Sequence, residues 1–166
     1  LWRLENGESD HVNPKIIGRL AGTNNVGNKS PEGDDEPRVD GSTRGIKAIL
    51  DLCRRKAPRA KIILMGSFPR NDNIAVMPII NQINERIAKF ADGKTIRYLN
   101  INDRMANKDG KLFEGITVRD GLHLDLKGYQ IWADALKGIF IKVLGPPAKK
   151  DLAPPPTGDP SQTRPH

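Results

Sequence analysis

Apolar residues in the 166-residue chain follow two distinct periods. Short continuous runs at residues 15–21 (KIIGRLA), 61–66 (KIILMG) and 95–101 (TIRYLNI) are rich in Ile and Leu and give way to turn residues, the pattern of strands. A longer segment of helical spacing follows each run. The first has Ser42 as its expected N-cap, apolar positions at Ile46, Ile49, Leu50 and Cys53, and Pro58 just past its end. The second stacks Val76, Ile79, Ile80, Ile83, Ile87 and Phe90. The last opens after Asp125, an expected cap, and aligns Tyr129, Trp132, Ala133, Leu136, Phe140 and Val143 on one face. Strand starts lie 46 and 34 residues apart, too far for hairpins and far enough for helical crossovers, so parallel strands with right-handed connections are predicted. The expectation is an α/β fold, a three-layer arrangement around a parallel sheet.

Composition changes that picture mainly at the ends. After Gly145 the sequence GPPAKKDLAPPPTGDPSQTRPH holds seven of the 13 prolines and almost no large apolar residue. Residues 1–144 are therefore expected to form one domain, and residues 145–166 a proline-rich disordered tail. The tail carries only +1 of the net charge of +7, so the basicity belongs to the body. Nucleic acid is not expected as a partner. Aromatics are only 5%, and the densest basic run (Arg54, Arg55, Lys56, Arg59, Lys61) falls where a helix should end and cations meet the helix dipole favourably. No run of roughly 18 apolar residues is present, which excludes a spanning helix. Cys53 is the single cysteine, and no Cys/His set has zinc spacing, so neither an internal disulfide nor a metal or other cofactor is expected. The compartment stays open. The chain begins at Leu1 without Met, so it reads as a sequence entered partway, and a signal for secretion or the periplasm would lie upstream.

In open parallel sheets, reactive residues collect just beyond the carboxyl ends of strands. Two such loops stand out. Gly22-Thr23-Asn24-Asn25 follows the first strand, and an amide fixed there, such as Asn24, could donate to a developing oxyanion, a contact worth about 3 to 4 kcal/mol of barrier. On local grounds alone a simple turn is the stronger reading of these residues. Ahead of the last helix, Arg119-Asp120-Gly121-Leu122-His123-Leu124 places a carboxylate and an imidazole three residues apart around a flexible glycine. Asp120 could then accept from Nδ1 of His123 and leave Nε2 free as a general base. An isolated Asp-x-x-His is more often packing or capping.

Taken in order, these segments resemble the SGNH (GDSL) hydrolases. The likeness runs toward the branch of platelet-activating factor acetylhydrolase catalytic subunits. It is carried by LWRLENGE at residues 1–8, GTNN at 22–25 and DGLHLDLKGYQIWADAL at 120–136, and it spans roughly residues 1–144. It implies a flavodoxin-like α/β/α sandwich and a metal-free esterase. Asn24 would belong to the oxyanion hole, and Asp120 and His123 would complete a catalytic triad. Gly66-Ser67-Phe68-Pro69-Arg70 is similar to the family's loop after its fourth strand, with no catalytic role.

Two departures from the family pattern shape the expectation. The family's nucleophile lies in a Gly-Asp-Ser block near the N-terminus, followed by a block whose Gly is another oxyanion donor, and neither is in this sequence. Ser9, Ser30, Ser42, Ser67 and Ser161 are the serines present, and none follows Gly-Asp after a strand. Ser67 alone follows a strand, within that ordinary loop. No nucleophile is therefore assigned to this chain, which is read as an N-terminally truncated domain. The second departure is Gly18-Arg19 inside a strand that the family would make central and apolar. Either Arg19 finds a carboxylate or water, or the strand is less buried than in the family and lies at an open edge.

The resemblance thus implies a serine esterase removing a short acyl group, acetyl by preference, from an alcohol, carbohydrate or lipid, with the attacking Ser upstream. The alternative is a noncatalytic module of the same scaffold that binds carbohydrate or an anionic ligand. Partners beyond a small ester substrate, and the oligomeric state, are not implied. A nucleotide-binding domain is excluded by the lack of a Gly-rich phosphate loop. The segment at residues 26–41 reads as a solvated loop, or as part of a pocket rim.

Overall fold

The structure, a computed structural model, describes residues 1–7, 10–27 and 35–150. Its main-chain elements are α1 (Trp2–Glu5), β1 (Ile16–Arg19), α2 (Glu36–Lys56), β2 (Lys61–Met65), α3 (Met77–Ala88), β3 (Ile96–Leu99), α4 (Asn102–Met105) and α5 (Leu126–Leu144). They divide into two units. One comprises Leu1–Phe68 and Asn73–Asn100, the other Pro69–Asp72 and the chain from Ile101 onward.

In the first unit β2 lies between β1 and β3, and both pairings are parallel, with Ile17 opposite Ile62 and Ile62 opposite Ile96. The three apolar runs of the sequence are these strands, and the long connections are the crossovers that parallel pairing requires. Successive side chains of a strand point to opposite faces. Ile62 and Leu64 join Ile46, Leu50, Ile79, Ile80, Ile83 and Ile87 of α2 and α3 in one apolar cluster. Ile63 and Met65, on the other face of β2, are buried as fully. Burial on both faces is what defines a middle layer, and it explains why β2 has no polar alternation.

The start of α2 differs from its expected position. Ser42 is inside the helix and buried, and the helix begins six residues earlier at Glu36. Pro37 stands in the first turn, where its fixed φ suits the helix and its missing N–H removes a donor that would be unpaired anyway. Val39, fully buried and seven residues before Ile46, carries the apolar stripe upstream. Residues 36–41 are therefore helix rather than loop; residues 28–34 of the same segment lie outside the described residues, as do 151–166 of the expected tail. At its other end α2 closes with Arg54, Arg55 and Lys56 in the last turn, as the dipole argument predicts.

β1 is an edge of the described sheet, not its centre. Gly18 is exposed and Arg19 half-buried, and the Arg19 Nε has no hydrogen-bond partner among the described residues. The strand is less buried than the family pattern would make it, yet the Arg19 Nε itself is covered, so lesser burial accommodates the guanidinium only in part.

In the second unit, antiparallel bridges join Ala106 to Leu112 and Thr117 to Leu124. Asp125 caps α5 as expected, its carboxylate accepting from the Leu126 N–H at 2.6 Å. The apolar face of α5 is more open than its alignment in the sequence implies: Tyr129 is 47% exposed and Phe140 39%, and only Gly128 is fully covered. Among the described residues no helix is long and apolar enough to cross a membrane.

Gly128 is covered because the Ile116 carbonyl passes close to it. A Cβ at residue 128 would meet that oxygen well inside van der Waals contact. In an unobstructed helix, Gly→Ala would gain about 1 kcal/mol of propensity. Here Gly128→Ala is expected instead to lose about 1–3 kcal/mol, because a backbone atom must be displaced. Thermal denaturation followed by circular dichroism checks the sign, and a stabilised variant would show that the approach is looser.

Candidate active site

The turn that holds Asp120 and His123 is closed by its own backbone. Outside it stands the Thr117–Leu124 bridge, inside it the Val118 N–H donates to the His123 carbonyl at 2.9 Å, and the Gly121 N–H donates to the Val118 carbonyl at 3.1 Å. Gly121 has φ +67°, the left-handed conformation that lets the chain reverse there without a side-chain penalty. Asp120 fills the interior of the reversal. Its Oδ1 accepts from the Leu122 and His123 N–H groups at 2.8 and 2.9 Å, and its Oδ2 lies 2.6 Å from Nδ1 of His123.

Charge follows from that geometry. Partial burial acts to raise the Asp120 pKa, but the hydrogen bond from His123 and the two backbone amides outweigh it and hold the carboxyl below its usual value of 3.8. At neutral pH the ionised carboxylate can only accept, so the proton between the two side chains sits on Nδ1. Nε2 then carries a lone pair. The His123 side chain is 76% exposed, so this nitrogen is open to an incoming hydroxyl. A pair so arranged can serve chemically as an oriented general base.

Asn24 belongs to the other unit. It is exposed in a 3₁₀ turn, Thr23–Val26, directly beyond the carboxyl end of β1. Gly22 begins that turn with φ +116°, the Asn25 N–H donates to the Gly22 carbonyl at 2.9 Å, and the wholly buried Val26 anchors its far end. The structure therefore brings Asp120 and His123 together and sets Asn24 on a separate, well-anchored turn. Ser67 is fully buried, and its hydroxyl lies 3.2 Å from the Ala21 carbonyl, to which it donates. Ser42 is buried in α2, while Ser9, Ser30 and Ser161 lie outside the described residues. Among the described residues no group of three or more His, Cys, Asp or Glu side chains is placed to hold a metal ion.

Two asparagines emerge that the sequence reading did not single out. Asn84, 5% exposed, grips the loop after β2 from both sides: its Oδ1 accepts from the Ser67 N–H at 2.7 Å and its Nδ2 donates to the Ser67 carbonyl at 2.9 Å. A signal existed, since Asn84 falls on the apolar face of α3, four residues after Ile80 and three before Ile87. Asn71, in a short loop with no periodicity, gave none.

Comparison with known proteins adds a second line of observation. The model of the GDSL-like lipase/acylhydrolase family matches residues 1–131. Among curated proteins, the platelet-activating factor acetylhydrolase IB subunit alpha1 of Homo sapiens is 32% identical over 146 residues, covering 87% of this chain and 59% of that protein. The chain thus spans somewhat less than two thirds of the relative it matches. Among solved structures, a GDSL-like lipase from Bacteroides thetaiotaomicron superposes with a TM-score of 0.65 at 23% identity, covering 84% of this chain and 69% of the other. A carbohydrate esterase family 3 protein from Talaromyces cellulolyticus superposes with a TM-score of 0.58 at 18% identity, covering 79% and 59%. At these identities the two structures speak for the α/β fold alone.

Proposed function

Because the chain belongs to the GDSL-like lipase/acylhydrolase family, whose members are ester hydrolases, we propose that it supplies the acid–base half of a serine esterase. The observation that carries this reading is the 2.6 Å contact between Asp120 and Nδ1 of His123. In the proposed reaction a serine from a segment upstream of Leu1 attacks the ester carbonyl, and Nε2 of His123 takes its proton. The imidazolium, steadied by Asp120, passes that proton to the departing alcohol as the C–O bond breaks. Asn24 donates to the oxyanion of the tetrahedral intermediate. Water, deprotonated in turn by His123, then releases the acyl group as a carboxylic acid and restores the serine. Acetyl is the acyl group we favour, because the curated relative is named an acetylhydrolase. The alcohol would be a carbohydrate or a lipid.

The part of that relative which this chain does not match leaves room for a segment bearing the serine. Among the described residues one edge of β1 is unpaired, and it offers a backbone to which such a segment could add a parallel strand. The 166-residue chain by itself is expected to hydrolyse p-nitrophenyl acetate no faster than an equal concentration of free imidazole. Robust turnover abolished by Ser67→Ala would overturn this, since it would place the nucleophile in a residue that is buried here.

A further inference from the structure

The geometry points to Asn71 as a positioning residue that holds the Asp120–His123 turn from behind; this rests on the role proposed for His123. Segment Pro69–Asp72 belongs to the same unit as that turn. The Asn71 and Asp72 N–H groups both donate to the Gly121 carbonyl, at 2.8 and 3.3 Å. The approach is tight: a Cβ at residue 121 would lie 2.9 Å from the Asp72 nitrogen and 3.1 Å from the Asn71 carbonyl carbon. The peptide that reverses the chain between Asp120 and His123 is therefore seated directly on this segment.

What fixes the segment is the Asn71 side chain. Its Oδ1 accepts from the Leu112 N–H at 2.8 Å, and its Nδ2 donates to the Gly110 carbonyl at 3.1 Å, so one amide spans two strangers in sequence. Arg70, 8% exposed, forms an ion pair with Asp72 that stiffens the same four residues. The Asp120 carboxylate keeps its two backbone donors only while Gly121 holds its left-handed turn, and that turn is kept by a carbonyl tied to residues 71 and 72. Releasing Asn71 frees the carbonyl, lets the turn open and lets the imidazole leave the carboxylate.

The tautomer of His123 reports this directly, without any need for turnover. With Asp120 paired, Nδ1–H is the form populated; an imidazole released to water prefers Nε2–H. Long-range ¹H–¹⁵N correlation spectra of the 166-residue chain at pH 8 read the two forms. Asn71→Ala is expected to raise the Nε2–H share about fivefold, the factor that corresponds to the net loss of about one hydrogen bond. Asn71→Asp, which keeps the acceptor for Leu112 and loses the donor to Gly110, should give a smaller rise. Asn107→Ala is the control: Asn107 accepts from the Asp109 and Lys111 N–H groups in the same 106–112 turn and makes no bond to Gly121, so it should leave the tautomer unchanged. An unchanged tautomer in a folded Asn71→Ala protein overturns the proposal, as does a shift of equal size in Asn107→Ala. Should Asn71→Ala not fold, Asn71→Asp decides: a shift no larger than the control's overturns the proposal. Failure of the esterase reading looks different, because it would appear as turnover indifferent to His123 while the tautomer still answered to Asn71.

Discussion

Replacing His123 by Ala, in a chain that carries an upstream Gly-Asp-Ser segment, is expected to lower kcat/KM about 10²- to 10⁴-fold, the contribution of a positioned general base. Structure should survive, because the side chain is 76% exposed and its principal partner is Asp120. Asp120→Asn is the more telling companion. An amide in place of the carboxylate can donate to Nδ1, which moves the proton to Nε2 and blocks the nitrogen meant to accept from serine; a comparable substitution in a known triad costs about 10⁴-fold. The pH dependence has a definite sign. The folded Asp120 pKa lies below 3.8, so its pairing is present above that value and lost as pH falls through the lowered one. Loss of the carboxylate should therefore contribute to an acid limb only below about pH 4. Normal turnover in His123→Ala, measured on p-nitrophenyl acetate, would remove the residue from the mechanism.

Ile83→Ala should be the most damaging change to folding, at about 2–5 kcal/mol. Ile83 is wholly inaccessible and belongs to the cluster that joins α2, α3 and the sheet. Truncation removes three carbons from an interior of isoleucines whose backbones, set in helix and strand, cannot collapse onto the gap. Ile83→Val, which deletes one methyl group, should cost only about 0.5–1.5 kcal/mol. Urea titration of both variants gives the comparison, and a loss below about 1 kcal/mol for Ile83→Ala would mean that the cluster relaxes around the cavity.

These two residues were readable in the sequence for different reasons. Ile83 sits in a period, and the repeat of Ile79, Ile80, Ile83 and Ile87 marks its face without knowledge of the fold. Asp120 and His123 sit within one turn, so their spacing of three residues already contains their geometry. The beginning of α2 was hidden because Asp34-Asp35-Glu36-Pro37 has the composition of a loop, although Glu36 and Pro37 are equally suited to a helix's first turn. For Asn84 the apolar face of α3 signalled a buried amide without naming its partner, and for Asn71 nothing did. Their partners lie 17, 39 and 41 residues away, and no local pattern records a hydrogen bond formed by tertiary packing. The esterase resemblance singled out the candidate site, and the open edge offered for β1 as one way to place Arg19 was chosen by the sheet.

That edge also bears on how copies of the chain meet. A strand with one side free among the described residues is a template for pairing with an extended backbone, including the same strand in a second molecule. Gly18 gives such a neighbour no side chain to pack against, and a charged residue beside it makes the strand a poorer template. The guanidinium that sits poorly in a sheet thus also discourages a wrong strand from joining it.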